Sequence, residues 1–381
     1  MNTVTLLQPP RIVFGNGCAP QCVEFLTQIG AKRLLLVSGK SVRSQLDSIV
    51  AALKHAGMQV FEGPFVPPEP TVKFFETALA ESRKHQIDSV LAIGGGSVID
   101  VAKLIAALVN GQQKVNEVFG INLLAKRTLP LVCLPTTAGT GAEVSPNAIL
   151  LDESDALKKG IVSPHLVPDA TFVDPLLTLS VPPAVTAATG LDALTHCIEA
   201  YANKFAHPIV DVYALQGIKL ISKNLRQAVR NGGDVEARAA VLLGSLYGGL
   251  CLGPVNTAAV HALAYPLGGQ FRVSHGVSNA LLLPHVLNFN YSAAPERYAE
   301  ISTALDVTRN GSNQKAAELG VESLAQLSRD CGVPQRLSEL KIPRDAIPGM
   351  AQAAMRVTRL LKNNLRPLTQ ADAEAIYEAA Y

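Results

Sequence analysis

The chain has 381 residues, 48% of them hydrophobic and 17% charged, against about 45–50% and about 25% in ordinary globular proteins, which excludes long disordered stretches and charged tails. At roughly 100–200 residues per domain this length predicts two domains. Lys and Arg number 33 against 31 Asp and Glu, so the basic excess of a protein that tracks nucleic-acid phosphates is missing and no nucleic-acid partner is expected.

From the N-terminus, MNTVTLLQPPRIVFGNG has neither a basic start nor a continuous apolar run, so no secretory signal is visible. The six cysteines, at 18, 22, 133, 197, 251 and 331, form no CxxC pair and no even framework. Reduced thiols and a cytoplasmic location are expected. Short apolar runs then alternate with helical periodicity: strands at Arg33–Val37, Met58–Glu62, Ser89–Ile93 and Leu129–Leu134, helices near Ser41–His55, Val72–His85 and Ser97–Val109. This alternation predicts a parallel, doubly wound α/β sheet with helices on both faces. Beyond Val181, Pro182 and Pro183 the pattern turns to long Ala/Leu-rich helical stretches, so the expected division is an α/β domain over 1–181 and an all-α domain over 182–381. Ala239 to Phe271 contains no Asp, Glu, Lys or Arg, but Gly244, Gly248, Gly249, Gly253 and Pro254 interrupt it. Two buried core helices are expected there, and no membrane span.

In SVLAIGGGSVIDVAKLIAAL a strand runs into Gly94, Gly95, Gly96 and Ser97, and a helix follows at once. Glycines let a backbone come close to an anion, and the free N–H groups and dipole of the new helix favour phosphate. A tight turn with Ser97 as N-cap would leave the same signature. Asp100, read as lying in the first turn, suits the helix dipole with or without a ligand. After the next strand, Thr136, Thr137 and Thr140 offer hydroxyls, and Gly139 and Gly141 would keep the loop low beneath a flat ring. Two such loops at the ends of parallel strands mark the crevice where α/β sheets bind ligands.

In the helical part, Asp192 and His196 are four apart, on one helical face. His261 lies in a second helical segment, and His275 precedes Gly276 in what reads as a loop, where glycine would let the ring turn inward. One carboxylate and three imidazoles suit Fe(II), Zn(II), Co(II), Ni(II) or Mn(II). Asp and His at this spacing also form plain ion pairs, but a charge in so apolar a segment has to be paired or coordinated. Glu199 reads equally as an acceptor behind the site or as solvated surface. His285 reads as a core residue, and His55, His85, His165 and His207 as surface.

These blocks, from RIVFGNG through IGGGSVIDVAK, PTTAGTGAEV and DALTHCIEAY to HGVSNALLLPHV and TRLLKNNLRPLT, resemble in order and spacing the iron-dependent, or group III, alcohol dehydrogenases along nearly the whole chain. The resemblance implies an N-terminal domain for a nicotinamide dinucleotide and a C-terminal helical domain, with one divalent metal, Fe(II) ahead of Zn(II), Mn(II) or Ni(II). It implies Asp192, His196, His261 and His275 as metal ligands and Gly95, Gly96 and Ser97 as the pyrophosphate site. Thr136, Thr137 and Thr140 would line the cofactor, and Lys158, or Lys159 one position on, would reach the nicotinamide ribose. It further implies a homodimer or higher homo-oligomer.

Two positions depart from the family pattern. Where members often carry a second histidine four residues after the third ligand, credited with proton transfer, this chain has Tyr265. Its phenol either relays a proton at the substrate oxygen or only walls the pocket. Where NAD-selective members often carry an acidic residue after the second strand, this chain has Gly39 followed by Lys40, so NADP is expected to be accepted beside NAD. The expected activity is hydride transfer between NAD(P) and a small alcohol or aldehyde, with the ion as Lewis acid. Its rivals are a lyase resembling dehydroquinate synthase, a maleylacetate-type reductase and a nucleotide-binding regulator with a structural metal.

Overall fold

The computed structural model describes residues 3–154, 157–309 and 311–381. These divide into two compact units, one of residues 7–137 and 141–180, the other of residues 181–381 together with Ala138–Thr140 and the described residues up to Leu6.

The first unit holds strands β1 (Arg11–Phe14), β2 (Arg33–Ser38), β3 (Gln59–Glu62), β4 (Ser89–Gly94), β5 (Gly120–Ile121), β6 (Leu131–Pro135), β7 (Asn147–Asp152), β8 (Leu157–Val162) and β9 (Ala170–Val173). Its helices are α1 (Gln21–Gln28), α2 (Asp47–His55), α3 (Val72–Arg83) and α4 (Gly96–Leu108). Six strands form one sheet in the order β1-β9-β6-β4-β2-β3, every pair parallel. Successive residues of a strand face opposite sides, and here each side has its own core. Leu35, Val37, Val90, Ala92, Leu131 and Cys133 pack with Phe75 and Leu104, whereas Leu34, Leu36, Leu91, Ile93, Val132 and Leu134 pack with Leu26 and Leu53. That is why these strands read as unbroken apolar runs.

Three features differ from the sequence expectation. The pattern over 41–55 splits into a 3-10 turn, Lys40–Gln45, and α2, the two meeting at the fully buried Leu46. β1 and β9 are four-residue strands, and β1 lies half-exposed at the sheet edge, so its apolar signal is weak. A small second sheet, β5-β8-β7, lies outside the predicted strands. In the large sheet the chain runs outward from β2 to β3 in one direction and from β4 onward in the other. The carboxyl ends of β2 and β4, at Ser38 and Gly94, therefore flank the switch point at which such sheets bind ligands.

The second unit is helical: α5 (Pro183–Tyr201), α6 (Pro208–Arg230), α7 (Val235–Leu252), α8 (Ala259–Phe271) and α9 (His275–Asn290), followed by further helices to Ala379. Pro183 opens α5 at a position where its missing N–H costs nothing. From Gly190 to Tyr201 every residue of α5 is buried, which marks a central helix. α9 crosses α5 closely, since a Cβ on Gly276 would lie 2.4 Å from the carbonyl oxygen of Ala188. The charge-free stretch forms α8 and most of α7. α7 is long and apolar enough to cross a membrane by length and composition, and 67% of it is buried inside the protein. All six cysteines are buried and unbridged.

Candidate metal centre

Three helices bring Asp192, His196, His261 and His275 together. α5 carries the first two one turn apart, α8 carries His261 in its first turn, and His275 opens α9. One donor atom from each lies within 4.8 Å of the others. Asp192 Oδ1 is 3.6 Å from His261 Nε2, 3.7 Å from His275 Nε2 and 4.0 Å from His196 Nε2. The His196 and His261 rings stack with centroids 4.7 Å apart. His275 thus begins a helix rather than sitting in a loop, and Gly276 serves the helix crossing rather than ring rotation.

Burial pushes the Asp192 carboxyl up, but the facing imidazoles of His275, His196 and His261, with the amide of Asn279, outweigh it and hold it at about 2. Burial drives the His196 imidazole down to about 4, so it is neutral and its lone pair is free to bind. Glu199, which the sequence left open between two readings, is buried. Its Oε1 accepts from the backbone N–H of Val260 and its Oε2 from His261 Nδ1, both at 2.6 Å. One carboxylate thereby closes the first turn of α8 and fixes the His261 tautomer, turning the Nε2 lone pair toward the other donors. This donor set fits a divalent ion: one charge, three imidazoles, and separations near the roughly 3.4 Å of tetrahedral ligands with bonds of about 2.1 Å.

Sequence reading passed over Asn279. It lies one turn after His275, fully buried, with Nδ2 2.6 Å from Asp192 Oδ1. Tyr265, one turn after His261, is 5% exposed, with its ring centroid 6.3 Å from that of His275. His207, expected at the surface, is buried instead, and its Nδ1 accepts from Ile209 N to cap α6.

In the α/β unit, Gly95 rather than Ser97 is the N-cap of α4, in an extended conformation. Gly95, Gly96 and Ser97 are partly exposed at the start of this 13-residue helix. A Cβ on Gly95 would lie 3.1 Å from Thr137 Oγ1, so the glycine makes room for the threonine loop. Thr136 follows β6 and is buried, with its N–H bonded to Gly94 O. Thr140 groups with the helical unit. A Cβ on Gly139 would lie 2.8 Å from Thr189 Cβ of α5, so the glycine lets this loop pack against that helix. On β8, Lys158 has a 5% exposed side chain and pairs with Glu69 at 2.5 Å, while Lys159 pairs with Asp152 at 2.6 Å. Gly39 follows β2 in an extended conformation, with Val98 Cγ2 3.6 Å from where its Cβ would stand.

Asp100 lies beyond the first turn of α4 and accepts from Ile149 N at 3.0 Å instead of serving the dipole. Lys103, fully buried, donates to the carbonyls of Ser145 and Asn147 at 2.6 and 2.8 Å. Together they pin α4 to β7. Beside them Glu143 is buried with Oε1 unpartnered, and burial pushes its carboxyl up to about 7. A carboxyl raised in the native state stabilises fully below its unfolded value and loses that contribution as pH rises through the native one. The Glu143 contribution, at most about 3 kcal/mol, is therefore expected to decline with a downward slope between about pH 5 and 8. Glu143→Gln should flatten that slope in thermal melts at the two pH values. A variant with the wild-type slope would contradict this.

Residues 9–175 match the family model of iron-containing alcohol dehydrogenase, and residues 186–381 match the C-terminal model of the Fe-containing alcohol dehydrogenase family. Long-chain-alcohol dehydrogenase 1 of Geobacillus thermodenitrificans (strain NG80-2) is 39% identical over 387 aligned positions, covering 100% of this chain and 98% of that protein. The 1,3-propanediol dehydrogenase of Klebsiella pneumoniae is 37% identical, covering 98% of each. The crystal structure of a 1,3-propanediol oxidoreductase matches with a TM-score of 0.96 at 36% identity, covering 100% of both chains. The chain belongs to the iron-containing alcohol dehydrogenase family.

Proposed function

We propose that the protein is an NAD(P)-linked alcohol dehydrogenase and aldehyde reductase in which Asp192, His196, His261 and His275 hold one divalent ion, Fe(II) ahead of Zn(II), Mn(II) or Ni(II). The observation that carries this reading is the convergence of those four donors from three helices within 4.8 Å. When bound, the ion supplies Lewis acidity at the substrate oxygen, and the nicotinamide supplies the hydride acceptor or donor. The chain's own part is positional. Asp192 brings one negative charge, His196 a neutral ring, and Glu199 holds His261 in the binding tautomer. Gly95, Gly96 and Ser97 would cradle the pyrophosphate at the start of α4, with Thr136, Thr137 and Thr140 on the neighbouring loop and Lys158 on β8 toward the ribose. The names of the relatives support an alcohol as substrate. The test is a panel of alcohols and aldehydes assayed with NAD(H) and NADP(H) after loading with Fe(II), Zn(II), Mn(II) or Ni(II). Full turnover by thoroughly metal-stripped enzyme would sink the reading, and failure to produce net NAD(P)H from any alcohol would favour the lyase.

Gly39 carries the cofactor preference in this reading. A carboxylate at that place would bond the ribose 2′-hydroxyl and repel a 2′-phosphate, whereas glycine does neither. NADP(H) is therefore expected to be used, and an NADH preference above about a thousandfold in kcat/KM, roughly 4 kcal/mol, would contradict it. Gly39 has extended backbone and an ordinary contact at its Cβ position, so Gly39→Asp should fold and swing the ratio toward NADH.

A further inference from the structure

Asn279 stands in α9 among leucines, in NALLL, and is 0% exposed. One turn after His275, it shares that residue's helical face. Its Nδ2 donates to Asp192 Oδ1 at 2.6 Å and lies 3.1 Å from His261 Nε2 and 3.3 Å from His275 Nε2. A single amide nitrogen thus touches three of the four donors, while its Oδ1 is buried without a partner. Buried amides normally satisfy both ends, and apolar neighbours fill the same helix, so packing alone does not account for an asparagine here. Each ligand also needs an orienting group. Glu199 provides one for His261, and the short N–H···O contact from Asn279 provides one for Asp192.

We propose that Asn279 is a positioning residue of the metal centre: its amide N–H fixes the rotation of the Asp192 carboxylate so that the carboxylate faces the same point as the three imidazoles. The proposal rests on the four-donor reading above. Removing the amide leaves Asp192 free to turn about its terminal torsion and takes away a hydrogen bond to a buried charge, which weakens the site without deleting a ligand.

The test uses the full-length, metal-stripped enzyme titrated with Co(II) against a competing chelator, with the visible Co(II) spectrum recorded. Asn279→Leu keeps nearly the same volume without the donor, Asn279→Ala removes both, and His275→Ala serves as the ligand-loss reference. Both Asn279 variants are expected to bind Co(II) about 10–100-fold more weakly than wild type, with an altered visible band and a metal-free melting temperature close to that of wild type. Wild-type affinity and spectrum in both, with loss of binding in His275→Ala, would overturn the role of Asn279 and leave the four-donor centre standing. Wild-type affinity in His275→Ala as well would remove the centre itself and the proposal with it.

Discussion

Replacing either His275 or Asp192 with alanine is expected to remove bound metal and turnover together. The two losses differ in kind. Asp192 is the one anionic member of the set, so Asp192→Ala leaves three imidazoles and no charge to balance a dication in a buried site. It also strands the Asn279 amide that donates to it. His275 has a 25% exposed side chain at the start of α9, so its removal disturbs packing less and reads more directly on the metal. Because losing an orienting partner costs about 10–100-fold in affinity, losing a ligand should exceed about 100-fold. Metal per protomer after dialysis and kcat on the best alcohol check this. A His275→Ala enzyme retaining both would remove His275 from the centre.

The large sheet was legible because each central strand is buried on both faces, so that Leu34 to Val37 and Val90 to Ile93 are apolar without a break. Two short strands were not: β1 has four residues half-exposed at the sheet edge, and β9, though buried between β1 and β6, is also only four residues long. In the site, the i, i+4 spacing of Asp192 and His196 survived into the structure because both lie inside one helix. What surrounds them was harder to read. From Gly190 onward α5 is buried on every side, so helical periodicity could not say whether Glu199 faced solvent or the core. Sequence distance also hid the contacts that decide its role: Glu199 meets Val260 and His261 from 61 and 62 residues away, and Asn279 meets Asp192 from 87. The glycines concealed contacts in another way. Gly139 and Gly276 looked like loop-shaping residues, yet a Cβ on either would collide with α5, so they record helix and loop crossings that no single-segment pattern reveals.

Tyr265→Phe is expected to lower kcat by about 10²-fold and to change its pH profile, the range over which a positioned proton donor or acceptor acts. α8 carries Tyr265 one turn after His261, and the ring is buried with its centroid 6.3 Å from the His275 ring, so it belongs to the surroundings of the proposed centre. At the family's histidine position a phenol can still hold a proton at the substrate oxygen, directly or through one water, although free phenols ionise near about 10 and imidazoles near about 6.5. That difference predicts a relay working through hydroxyl hydrogen bonds rather than through a charged form. Phenylalanine keeps the ring, and with it the packing against Ala262 and Leu360. The substitution therefore removes the hydroxyl alone, and kcat reports on it without a change in pocket shape. If kcat and its pH profile were unchanged and only KM moved, Tyr265 would be a wall that narrows the range of alcohols. The proton would then have to leave through the cofactor ribose and solvent.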